Sequence, residues 1–197
     1  MKAYELAATA LVSALGAAFG GQQRLNVVIF DLADTRGDTI TEAAGMARRF
    51  FHEAGVDTEW TVCHMAKHHN ACALPPAETY LKLSVLAEAD RNTRKTMGTA
   101  LITKTGEAVV SYAFFDRATT LAKSTGQPVR VVLACIIAHE IGHLMGLKHN
   151  AGIMKADLAQ REIFDAAQER LQFTAEDAGL LREFAGNSLN SSLAAHR

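Results

Sequence analysis

His139-Glu140-Ile141-Gly142-His143-Leu144-Met145-Gly146-Leu147-Lys148-His149 is the stretch on which the reading of this chain turns. His139 and His143 are four residues apart, which on a helix puts them on one face, one turn from each other. Two imidazoles at that spacing can hold one Zn²⁺ from a single rigid element. Glu140 is rotated off the ligand line, so it can reach a water at the metal without ligating. Gly146 accepts the left-handed backbone that ends a helix. His149 follows three residues later and can swing back to the metal. Three neutral imidazoles leave zinc's fourth position open, which is the catalytic rather than the structural arrangement. The same stretch decides the run before it. Val131 to Ala138 is apolar throughout, and periodicity alone does not separate helix from strand there. The His139/His143 pairing decides for a helix, and the uniform apolarity says that this helix is buried under a sheet.

The pattern H-E-x-x-H-x-x-G-x-x-H resembles the zinc signature of the metzincin metalloproteases. Metzincins also carry a tight turn that sets a methionine beneath the zinc. Ala151-Gly152-Ile153-Met154 is the candidate here, with Gly152 supplying the turn and Met154 a thioether that supports the site without ligating. The chain has the general look of small bacterial metalloproteases of this kind. A bare H-E-x-x-H arises by chance on ordinary helices, Gly146 alone is an ordinary helix cap, and Met154 alone an ordinary core residue. Their combination at these spacings makes chance a poor account. The resemblance implies a cleft between an amino-terminal part and a small carboxyl-terminal part after Gly146, with a fourth strand as its upper rim. An extended peptide can add to such an edge as an extra strand. Some metzincins carry a tyrosine two residues after the methionine; here that position is Ala156. Cys63 as a thiol that blocks the zinc is a further, weaker reading.

The chain has 197 residues, enough for one domain with a substantial core. A formal net charge of −1 favours neither nucleic acid nor an anionic membrane as a partner. Leu6 to Phe19 is an apolar run preceded by Lys2, too short for a stable membrane span but suited to a secretory h-region. Glu5 is out of place there, and the alternative is an amphipathic or buried amino-terminal helix. The signal-peptide reading divides the chain into 1–20, a catalytic domain over 21–187 and a flexible tail over 188–197, and places the protein outside the cytoplasm. In such a compartment Cys63 and Cys72 can close their loop as a disulfide, leaving Cys135 as a buried thiol.

From the start, Leu25–Phe30 reads as a strand buried on both faces. Asp38-Thr39 opens a helix, with Thr39 and Glu42 in capping-box spacing, that runs to Gly55. Thr58–Val62 is the next strand, and strand, helix, strand at this length suggests a parallel βαβ unit. His64 and His68 in the following loop have the spacing for a second metal, although a solvated loop accounts for them better. Strands are expected at Leu81–Leu86, Met97–Thr103 and Ala108–Phe115, then a short helix ending near Gly126, with Pro128 starting the next one. After Met154 a helix is expected with Phe164, Ala167 and Leu171 on one face. A last helix is expected from Thr174 as N-cap, with Asp177 in its first turn and Phe173 stapled onto Ala178, ending at Gly186. The fold expected is therefore α/β: a mixed, mostly parallel five-stranded sheet over the zinc-binding helix, with a small carboxyl-terminal helical part. The function expected is hydrolysis of a peptide or protein by zinc, with His139, His143 and His149 as ligands and Glu140 as general base. The alternatives are a metal-binding module without proteolytic activity, and an intracellular processing enzyme.

Overall fold

The computed structural model describes residues 24–36, 38–65, 72–74, 80–90, 96–102 and 108–195. The apolar run 6–19 and His68 lie outside them. Strand β1 (Leu25–Asp31) is followed by helix α1 (Thr39–Glu53), β2 (Thr58–His64), β3 (Tyr80–Leu86), β4 (Gly98–Ile102) and β5 (Ala108–Phe114). Helices α2 (Phe115–Thr125) and α3 (Val129–Leu144) come next, then a single 3₁₀ turn at Gly152–Met154, α4 (Gln160–Ala167) and α5 (Ala175–Ala195). The strands form one sheet in the order β2-β1-β3-β5-β4. β1 pairs in parallel with β2 and β3, β3 pairs in parallel with β5, and β4 runs antiparallel to β5 at the edge. The mixed, mostly parallel sheet is the one expected.

The β-branched residues Val27, Val28 and Ile29 are inaccessible to solvent, which is why β1 can occupy the middle of a sheet covered on both faces. α1 lays Ile40, Ala43, Ala44, Ala47, Phe50 and Phe51 into the core. It packs against α3, and both pack against the sheet. From Val131 through Gly142 every residue of α3 is buried. Its apolarity on all sides follows: the sheet, α1, α2 and α4 surround it. Each aliphatic side chain buried this way contributes on the order of 1.5–3 kcal/mol, so the helix is fixed in place before any metal is considered.

Four local expectations are corrected. Thr39 lies inside α1 and its hydroxyl donates to the Arg36 carbonyl at 2.9 Å, while Glu42 faces Arg130 at 3.3 Å, so no capping box forms. α4 stops at Ala167 and buries Glu162, Ile163 and Ala166 instead. Phe164 is half exposed under the Arg170 guanidinium, and Leu171 reaches the core from the segment after the helix. α5 continues past Gly186 to Ala195, because Gly186 keeps a helical backbone rather than the left-handed one that would end it. Cys63 is bonded to Cys72, with Cα atoms 5.6 Å apart, so it is no free thiol for a metal. Cys135 is free and buried, and burial pushes its thiol up to about 12.

The start of α5 is as expected. The Thr174 hydroxyl accepts from the Asp177 N–H at 3.1 Å, and the Asp177 carboxylate accepts from the Thr174 N–H at 3.3 Å and its hydroxyl at 2.7 Å.

Candidate metal centre

The end of α3 sets the geometry of the site. Gly146 adopts a φ of 87°, its N–H donates to the His143 carbonyl at 3.0 Å, and the Leu147 N–H donates to the Gly142 carbonyl at 3.0 Å. This paired closure turns the chain sharply and buries Leu147. His149 is thereby carried back over the helix that holds His139 and His143. The Nε2 atoms of His139 and His143 are 3.1 Å apart, and those of His143 and His149 are 3.2 Å apart.

Tautomers follow from the other ring nitrogens. His139 Nδ1 is 2.8 Å from the Ile153 carbonyl, and His143 Nδ1 is 2.9 Å from the Leu147 carbonyl. A carbonyl only accepts, so each Nδ1 carries the proton and each neutral ring presents a bare Nε2. Two such lone pairs at these distances repel and have no hydrogen to share. A cation between the rings resolves this, and imidazoles held through Nδ1 by main-chain carbonyls are ordinary metal ligands. Among the described residues, this triad is the group of histidines, cysteines and carboxylates close enough together to hold a metal ion. Burial holds the His139 imidazole down to about 4, against the opposing pull of the Ile153 carbonyl, and lowers His143 in the same direction. Both rings are therefore kept in the neutral form that ligation needs.

The turn at Gly152–Met154 lies against the same helix. Gly152 has a φ of 60°, and a Cβ there would sit 2.2 Å from the Gln172 carbonyl oxygen. Glycine is thus required twice over, by conformation and by space. The Ile153 N–H donates to that same carbonyl at 3.1 Å, and the Asn150 N–H donates to the Met154 carbonyl at 2.9 Å. Met154 is wholly buried, and its Sδ would lie 2.7 Å from a Cβ built on Gly142. The methionine packs against the helix between the two histidines.

A cleft of about 490 Å³ opens over these residues. It is lined by β4 and the residues just before it, by Ile136 and Glu140 with the three histidines, and by Ala156, Asp157 and Leu158. β4 thus borders the cleft, where the resemblance to metzincins implied a fourth strand. Ala156 lies in the wall and has no hydroxyl to donate. Glu140 is 5% exposed, and its Oε2 has no hydrogen-bond partner among the described residues. Burial pushes its carboxyl up to about 8.

His64 goes elsewhere. Its Nδ1 lies 3.1 Å from a carboxylate oxygen of the buried Asp31, which also accepts from the Thr35 hydroxyl at 2.9 Å. Three features of the centre escaped the sequence reading: the Ile153 and Leu147 carbonyls that orient the rings, and Gly98 of β4. The carbonyls carry no side-chain signal. Gly98 stood as an ordinary residue of a strand.

The fold is metzincin-like, and the three converging histidines are consistent with a metzincin-type zinc protease. A family model for matrixins matches residues 87–180. No match is found among curated proteins. Among solved structures the chain resembles archaemetzincin from Methanopyrus kandleri, at 12% identity and a TM-score of 0.55, over 82% of this chain and 95% of that one. The matrixin match supports a metallopeptidase-type function, and the likeness to archaemetzincin is one of fold.

Proposed function

We propose that this chain is a zinc-dependent endopeptidase. The observation that carries the reading is the convergence of three imidazoles, two with their Nδ1 protons committed to carbonyls, in an open cleft beside a buried carboxyl whose Oε2 has no hydrogen-bond partner among the described residues. An all-imidazole donor set of this size suits zinc. When bound, zinc supplies Lewis acidity, polarising a carbonyl and lowering the pKa of a coordinated water toward about 7. His139, His143 and His149 would hold it.

Glu140 does the proton work. It takes a proton from the attacking water and returns it to the leaving amine, so one carboxyl serves as base and then acid. The step needs the carboxylate; burial opposes that form, and a nearby positive charge favours it. Among the described residues β4 is the edge strand of the sheet along the cleft, and an extended peptide can add to such an edge with main-chain hydrogen bonds. Met154 supports the site by packing and is not a ligand, since a thioether competes poorly for zinc beside imidazoles. The Cys63–Cys72 bond supports an oxidising, extracytoplasmic setting.

The test is metal analysis together with digestion of a broad peptide library by wild type, Glu140→Asp and Glu140→Ala. Wild type is expected to bind one zinc per chain and to cleave. Glu140→Ala is expected to keep zinc and lose about 10²–10⁴ in rate, with Glu140→Asp between the two. Equal activity of wild type and Glu140→Ala would refute the mechanism while leaving the metal site standing. A metal-binding module without activity would show no difference among the three, but such a module has no use for a carboxyl aimed into the cleft.

A further inference from the structure

Gly98 opens β4 and pairs with Ala113 across the ladder. Its φ lies outside the left-handed region, so its conformation does not call for glycine. Its surroundings do. A Cβ at this position would lie 2.5 Å from Glu140 Oε1, 2.6 Å from Glu140 Cγ and 2.6 Å from the Tyr112 carbonyl oxygen. Glycine weakens a strand, and one that is retained in a strand commonly marks the close approach of another group. Here the approaching group is the side chain that faces the metal centre from α3.

We propose that Gly98 is the positioning residue for Glu140: its missing side chain is the slot in which the carboxylate lies beneath the edge strand. This rests on the reading of Glu140 as the proton carrier. A glutamate has three rotatable bonds and, in an open cleft, a wide choice of positions. The slot removes that choice by closing α3 and β4 over the side chain. Oε1 and Cγ occupy the space that a Cβ on Gly98 would fill, and among the described residues Oε2 makes no hydrogen bond that would hold the carboxylate instead. Packing therefore sets its position. The same strand borders the cleft, so one backbone segment both bounds the substrate's path and fixes the group that moves the proton.

A thermal and kinetic cycle on the zinc-loaded full chain tests this, using wild type, Gly98→Ala, Glu140→Ala and the double variant. If the slot exists for Glu140, Gly98→Ala lowers Tm in the wild-type background and lowers it much less once Glu140 is alanine. An equal fall in both backgrounds would overturn the proposal, because the Tyr112 carbonyl alone would then account for the glycine. If Gly98→Ala fails to fold but the double variant folds, the coupling is shown at its strongest; failure of both overturns it. In the kinetic arm, Gly98→Ala is expected to keep stoichiometric zinc, to lose about 10²-fold in kcat, and to hold KM within about twofold. A wild-type kcat would also overturn the proposal. A wild type inert on every peptide would refute the endopeptidase reading and with it the catalytic meaning of the slot. The Tm cycle would still show whether Glu140 occupies it.

Discussion

At the carboxyl ends of β1 and β2, His64 gives its Nδ1 proton to the Asp31 carboxylate, whereas His139 and His143 give theirs to main-chain carbonyls. The consequences diverge from there. Asp31 also accepts from the Ala33 N–H and from the N–H and hydroxyl of Thr35, so the cluster around it is a closed knot of satisfied polar groups. It ties the exit of β1 to the end of β2 and, among the described residues, belongs to no group able to hold a metal ion. In the triad, the paired acceptors satisfy only the far side of each ring. The near sides are left with one another. A histidine whose partner is buried and fully bonded holds structure; histidines whose bare nitrogens point together hold a cation.

Substitution in the triad breaks this comparison most sharply. Excess zinc is expected to stabilise wild type by about 4 kcal/mol at a thousandfold excess over Kd, and to leave His139→Ala unmoved. His64→Ala should keep the full response. Thermal denaturation with and without zinc is the measurement, and loss of the response in His64→Ala would show that the two sites are not separate in function. A smaller effect is expected from the knot. Asp31→Ala leaves the Thr35 N–H and hydroxyl without their acceptor, at about 1–3 kcal/mol in urea denaturation, with zinc content unchanged. A fall in zinc content would mean that the knot also shapes the metal centre. The smallest effect concerns Met154, a packing support for which the Asp31 knot has no counterpart. Met154→Leu conserves volume and is expected to cost under about 1.5 kcal/mol while retaining zinc. Zinc loss as complete as in His139→Ala would make the sulfur a ligand.

Much of this was legible because local patterns carry it. The spacing of His139, His143, Gly146 and His149 encodes a helix, its stop and a return, and the structure brings the three rings together in that way. The β-branched and apolar runs marked each strand, and the Thr174/Asp177 pair marked the start of α5. What stayed hidden depends on partners far along the chain. Glu42 had the spacing for a cap but lies opposite Arg130. Phe164 looked like a core residue, yet the face that α4 buries is set by α2 and α3, against which it packs. Gly98 and Glu140 are distant in sequence, and no local pattern says that one leaves room for the other. The Ile153 carbonyl, which fixes the His139 tautomer, is a main-chain group that any residue would supply.

The Gln172 carbonyl adds an order in time. It receives the Ile153 N–H, and its segment leads straight into the Thr174–Asp177 cap of α5. The ligands and the base are all synthesised before it, but the carbonyl that orients His139 is anchored by residues that emerge later. The turn beneath the histidines is therefore completed from the carboxyl-terminal side, and the frame of the centre extends to Gln172, well beyond the histidine motif itself.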